Sequence, residues 1–281
     1  MQMNTTENAA EYDKVVKSTR IDNEQGNLHG YMQEVERDGR KAAVPVWVDD
    51  DKVTYGGYWE RIRRSYIPSK YLMNEAKGID WSLYGSKYEN GIKNTRGKLN
   101  GYIAGFETIK KSKDEKEEPG FRPNGIGLYI NSLSHGSGKT LLGCMMACRI
   151  MNNFNHVLVK YTTVPDYLEL MKGKGDQRLE KNREYQDCTL LILDEMGSGK
   201  GDWDKEILRN LISCRMGQQK PIIYISSCPM EKLTGDSQMI ALIKDMSIEI
   251  DLPPVNIRNK LAEQRKQELL EKAVQKEGKA V

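Results

Sequence analysis

The sequence predicts an α/β domain, a parallel sheet covered by helices, in its second half, with a smaller N-terminal region ahead of it. Three observations predict this. After Pro123, short apolar runs alternate with amphipathic stretches of helical length, the pattern left by βα units that stack into a parallel sheet. A glycine-rich turn (Ser134, His135, Gly136, Ser137, Gly138, Lys139, Thr140) lies between the first of those runs and the first of those helices. A later run, Leu190, Leu191, Ile192 and Leu193, is apolar enough for burial on both faces and ends in two acids, Asp194 and Glu195.

Taken in order, residues 1 to about 43 show no sustained period and are expected to be mobile or to order on a partner. Residues 43–48 and 53–55, separated by Asp49, Asp50, Asp51 and Lys52, are expected as a small hairpin. Residues 65–81 read as a short helix with loops and 97–109 as another helix. The charged run 110–120, closed by Pro119 and Gly120, reads as a solvated linker, which divides the chain into 1–118 and 119–281. Beyond it, strands are expected at 127–131, 156–161, 189–193 and 221–226. A helix is expected over 140–151. A second starts at Thr163, a cap residue followed by an early proline, Pro165. A third places Trp203, Ile207, Leu208, Leu211 and Ile212 on one apolar face.

The composition sets bounds. A chain of 281 residues holds one full-size α/β domain and an appendage. No stretch approaches a membrane-spanning helix, and the polar start, Met1 to Glu11, has no signal-peptide core, so no membrane partner is expected. None of the five cysteines forms a C-x-x-C pair, which points away from a zinc site and towards reduced thiols in a cytoplasmic protein. A net charge of +3 does not by itself indicate nucleic-acid binding. In the basic stretch 61–122 aromatics mix with cations near its start: Trp59, Arg61, Arg63, Arg64, Tyr66, Lys70 and Tyr71. Such a mixture either stacks single-stranded bases or supplies core aromatics to a small domain.

The chemistry is concentrated in two places. Polyphosphate needs its charge met by backbone N–H groups, and glycines let the backbone approach closely enough. Gly136, Ser137 and Gly138 supply that turn, Lys139 is expected to reach the β- and γ-phosphates, Thr140 to bind magnesium, and Leu141 completes the segment. The pattern G-x-x-x-x-G-K-[ST] would place its first glycine at 133, where this chain has Leu133. Downstream, Asp194 is expected beside the magnesium and Glu195 beside the attacking water, the two needs of phosphoryl transfer from ATP. A second glycine-lysine run at 197–201 lacks Ser or Thr after its lysine and reads as a loop.

Four segments, Gly138-Lys-Thr-Leu-Leu, Val157-Leu-Val-Lys-Tyr-Thr-Thr, Leu191-Ile-Leu-Asp-Glu-Met-Gly and Ile225-Ser-Ser-Cys-Pro-Met-Glu, occur in the order found in DnaC/DnaI helicase loaders, and the chain resembles that family over roughly 119–260. The loop without its first glycine resembles phage and mobile-element members. The resemblance implies an AAA+ fold and an ATPase that assists a replicative DNA helicase onto single-stranded DNA during DNA replication. It also implies assembly as a homo-oligomer on the helicase ring, with residues 1–118 gripping the helicase. By the same resemblance Ser227 is the sensor-1 residue and Arg258 the sensor-2 arginine. The slot of the intersubunit arginine finger holds Leu242, leaving Lys244 or Arg215 as substitutes, and a lysine lacks the planar fork of an arginine. Two alternatives remain: a transposition-helper ATPase of the IstB type, and a non-hydrolysing adaptor held together by ATP.

Overall fold

The structure, a computed structural model, describes residues 14–22, 29–37, 40–48, 57–72, 79–106, 125–154, 156–198, 201–233 and 237–277. The linker at 110–120 and the hairpin's second arm at 53–55 lie outside the described residues.

The N-terminal residues depart from expectation. Three nine-residue strands, β1 (Lys14–Asp22), β2 (His29–Arg37) and β3 (Arg40–Val48), form an antiparallel sheet in the order β1-β2-β3. Residues 43–48 pair with β2, Ala43 opposite Glu34 and Val48 opposite His29. Arg37 pairs with Arg40 across the dipeptide Asp38-Gly39, whose residue types are a strong short-range hairpin signal. A register shift between Val15 and Lys17 interrupts β1, and its regular part, residues 17–22, holds a single apolar residue, Ile21, so no alternation stands out.

Residues 57–72 and 79–106 form short helical pieces: α1 (Tyr58–Arg64), α2 (Ser69–Leu72), 3₁₀ turns at Trp81–Tyr84 and Ser86–Tyr88, and α3 (Glu89–Ala104). The expected helix at 97–109 is the second half of α3, because Gly91, Gly97 and Gly101 weaken its sequence signal without breaking it. Arg61 is buried and donates from Nη2 to the Met151 carbonyl at 2.7 Å. Arg63 pairs with Glu60, and the Tyr66 hydroxyl donates to Glu184 at 2.7 Å. Arg61 is therefore not available to bases, whereas Trp59, Arg63, Arg64, Tyr66 and Lys70 remain exposed.

A five-stranded parallel sheet follows, in the order β5-β6-β7-β4-β8, with β4 (Gly127–Asn131), β5 (Val159–Thr163), β6 (Leu190–Met196), β7 (Ile222–Ser226) and β8 (Ser247–Asp251). Successive strand residues alternate between two cores. Leu128, Ile130, Val159, Leu190, Ile192, Ile223 and Ile225 join the cluster that includes Tyr58, Ile62, Ile92, Leu99 and Tyr102 of α1 and α3. That cluster also holds α4 (Lys139–Asn153), so helices ahead of residue 119 and the sheet share one core. Tyr129, Leu191, Leu193, Ile222 and Tyr224 face the opposite cluster with α5 (Val164–Lys172), α6 (Asp176–Asp187), α7 (Asp202–Gly217) and α8 (Ser237–Asp245). The two-sided burial explains the continuous apolar runs. Thr163 caps α5 as expected, its hydroxyl accepting from the Asp166 N–H. Trp203 departs from the apolar face assigned to it and is exposed, being in the first turn of α7. The last helix is α9 (Ile257–Glu277).

Arg215, near the end of α7, is fully buried. Its Nη1 donates to the carbonyls of Tyr185 (2.8 Å), Gln186 (3.1 Å) and Cys188 (3.0 Å), and Nη2 to that of Pro221 (2.8 Å). The last turn of a helix leaves carbonyls unpaired, and this guanidinium satisfies those of α6. Arg215 is therefore a structural cation and no substitute finger. Arg215→Met is expected to lower the unfolding free energy by about 3 kcal/mol or more, since buried acceptors lose their donors. A fall in the urea midpoint at unchanged slope checks this.

Candidate functional site

The glycine-rich turn joins β4 to α4. Gly136 (φ 71°) and Gly138 (φ 91°) take left-handed conformations, which glycine adopts without steric cost. Space also requires glycine at 136, where a Cβ would lie 2.5 Å from Asn256 Oδ1 and 3.0 Å from Arg258 Cβ. The Gly136 carbonyl accepts from the Arg258 backbone N–H at 3.0 Å, and the Ser137 carbonyl from the Tyr84 hydroxyl at 2.7 Å. The loop is therefore held from two sides, by α9 and by the first 3₁₀ turn. Leu133 sits exposed at its start.

Lys139 opens α4 and is buried. Its Nζ donates to the carbonyls of Ser132 (3.2 Å) and Ser134 (3.0 Å) and to Ser137 Oγ (3.4 Å), all neutral oxygens. Burial pulls its pKa below the ordinary lysine value; the Asp194 carboxylate opposes that pull and Arg258 adds to it. Lys139 thus feels the charges of both Asp194 and Arg258. Thr140 and Leu141, both half-buried, follow in the first turn of α4.

The two acids sit on an irregularity. Leu193 pairs with Tyr224 and Met196 with Ser226, so three steps along β6 oppose two along β7. Glu195 takes up the extra residue at φ 60°, a conformation rare for a non-glycine residue. Adjacent residues of a regular strand point to opposite faces, and a bulge re-aims them. Asp194 is buried and Glu195 exposed. Asp194 Oδ1 accepts from the Glu195 N–H at 2.7 Å, and Oδ2 from the Tyr161 hydroxyl at 3.0 Å. Ser198 donates from its N–H and Oγ to the Glu195 carbonyl at 3.2 and 2.7 Å, closing the turn that follows. Residues 199 and 200 of the glycine-lysine run lie outside the described residues.

Ser227 lies exposed one residue past β7, whereas Ser226 is buried with its Oγ on the Met196 carbonyl. Arg258 is exposed in the first turn of α9. Leu242 is half-buried against the core beneath α8, and Lys244 is exposed.

The residues fit a magnesium-bound polyphosphate. The loop offers a glycine cradle and an ammonium whose hydrogen bonds go only to neutral oxygens. Each Asp194 oxygen accepts one bond from the protein and retains a lone pair. No group of three or more His, Cys, Asp or Glu side chains among the described residues forms a metal cage, in keeping with an ion held by one carboxylate, a hydroxyl and phosphates. Thr140 and Asp194 are the protein groups that could hold it. The five cysteines are free, and no described helix is long and apolar enough to cross a membrane.

No family model matches the chain, and no curated protein matches it. Solved structures do. DnaI matches with a TM-score of 0.52 at 18% identity, over 67% of this chain and 95% of that one. A DnaC helicase loader matches with a TM-score of 0.43 at 18% identity, over 57% of this chain and 89% of that one. DnaA from Aquifex aeolicus bound to AMPPCP gives 0.46 at 18% identity, over 73% and 57%. At such identity the likeness to DnaI is one of fold, and the fold is the AAA+ α/β arrangement that the sequence resemblance implied.

Three contacts at the site went unread in the sequence: Tyr84 on the Ser137 carbonyl, Tyr161 on Asp194, and Asn256 against Gly136. Tyr161 carried a signal, being a hydroxyl-bearing residue near the end of an apolar strand. The other two depend on contacts remote in sequence.

Proposed function

We propose that this chain is an ATP-dependent helicase loader, which binds a replicative DNA helicase and helps place it on single-stranded DNA. The observation that carries the ATPase part is the buried Lys139 ammonium in the glycine turn, electrostatically linked to Asp194 beside the re-aimed Glu195. In this reading the N–H groups of 136–140 and Lys139 bind the phosphates. Thr140 and Asp194 hold magnesium, which when bound neutralises phosphate charge. Glu195 orients and deprotonates the attacking water, while Ser227 and Arg258 meet the γ-phosphate region. Partner binding is assigned to the part ahead of residue 119. There α1 and α3 bury one face against the sheet and keep residues such as Trp59, Arg63 and Arg64 exposed.

Arg215 is spent within the fold and Leu242 fills the finger slot, which supports slow hydrolysis by the chain alone. Arginine fingers contribute ~10³–10⁵ in rate where they operate. Specific ATPase activity is expected to stay flat across a wide range of protein concentration and to rise with a replicative helicase or single-stranded DNA. A steep rise with protein alone would reveal a trans cation, with Lys244 the residue to mutate. No turnover under any of these conditions would favour the ATP-bound adaptor, for which the buried Arg215 also speaks.

A further inference from the structure

β5 lies beside β6 in parallel, with Tyr161 opposite Ile192 and Thr163 opposite Asp194. Tyr161 packs against the cluster that holds Ile192, so its ring lies on the face of Asp194, one diagonal step away. A long side chain spans that step. Its neighbour on the same face, Val159, is apolar and fully buried, and a phenylalanine would fill the ring's space equally well. The feature left to explain is the hydroxyl, which a half-buried tyrosine must pair, and which donates to Asp194 Oδ2 at 3.0 Å. The Glu195 N–H holds the other oxygen at 2.7 Å.

We propose that Tyr161 is a positioning residue for magnesium binding: its hydroxyl, acting from the neighbouring strand, fixes the Asp194 carboxylate before nucleotide arrives. The inference rests on the metal-binding role assigned to Asp194 above. Two donors from different directions, one per oxygen, leave the carboxylate plane no free rotation. Each oxygen keeps a lone pair for the ion or its waters. Donors of this kind, one step behind a metal-binding group, typically contribute ~10–100-fold to metal affinity. No described residue other than Tyr161 places a side-chain hydroxyl on Asp194.

The test uses the full chain and a fluorescent ATP analogue, titrated with magnesium to obtain its half-saturating concentration for nucleotide binding. Tyr161→Phe is expected to bind the analogue in EDTA within about twofold of wild type and to need about tenfold more magnesium. Unchanged magnesium half-saturation in this variant overturns the proposal and leaves Tyr161 a packing residue. Asp194→Ala separates the two levels. A shift there without one in Tyr161→Phe removes only the positioning role, whereas no shift in either removes the metal role of Asp194 and the inference with it. Should Tyr161→Phe fail to fold, Tyr161→Met, a flexible apolar replacement, carries the same expectation.

Discussion

Lys139→Ala abolishes measurable ATP binding, with affinity expected to fall about 100-fold or more, the upper range for a lost hydrogen bond to a charged group. Two effects combine. The variant removes the one cation placed in the glycine turn, and it removes three hydrogen bonds that hold the turn on itself, to Ser132, Ser134 and Ser137. Loop and ligand are thus lost together, because the same ammonium holds the turn now and would meet phosphate later. Lys139→Arg is no remedy: a guanidinium presents its donors in a fixed plane on a longer stem, whereas the Ser132 and Ser134 carbonyls and Ser137 Oγ converge on the point charge of an ammonium. Titration of a fluorescent ATP analogue decides, and equal affinity in wild type and Lys139→Ala would rule out the site.

Glu195→Gln is expected to leave nucleotide affinity within about twofold and to slow turnover by ~10²–10⁴, the contribution of a positioned general base. The backbone at this residue sharpens the test. Glutamine has the same branching as glutamate and tolerates φ 60° no better or worse, so the melting temperature should not move. Glu195→Gly removes the carboxylate and relieves the left-handed backbone together. It should match Glu195→Gln in lost turnover while melting higher, since such strain costs about 1–3 kcal/mol. Turnover that survives both substitutions assigns the base elsewhere.

The α/β half was legible because its signals are local. A buried parallel strand declares itself as an unbroken apolar run, as at Leu190–Leu193, and a phosphate turn as glycines before Lys139. What stayed hidden depends on register or on distant partners. Nothing in Asp194-Glu195 announces a bulge, because glutamate gives no sign of a left-handed backbone in the way glycine does. Arg215 reads as a substitute finger, and only the carbonyl ends of α6, some thirty residues earlier, reveal it as buried. Arg61 misled similarly, since its acceptor is the Met151 carbonyl. In the N-terminal sheet residues 17–22 of β1 hold too few apolar side chains for an alternation to show, although Asp38-Gly39 offered a turn signal.

The contact between Gly136 and the start of α9 works as a hinge pin on a long arm. The Arg258 N–H holds the Gly136 carbonyl, Asn256 fills the space a Cβ would need, and the Asn256 side chain also accepts from the Asn259 N–H in the first turn. The helix beyond runs 21 residues, about 30 Å at 1.5 Å per residue. Each degree by which the turn tips that helix displaces its far end by about 0.5 Å, from the same length. A rearrangement of the loop that tipped this helix, and with it the Lys260 bond to the Leu83 carbonyl that also ties it down, would be magnified at the opposite end of α9 into a displacement on the scale of a side chain.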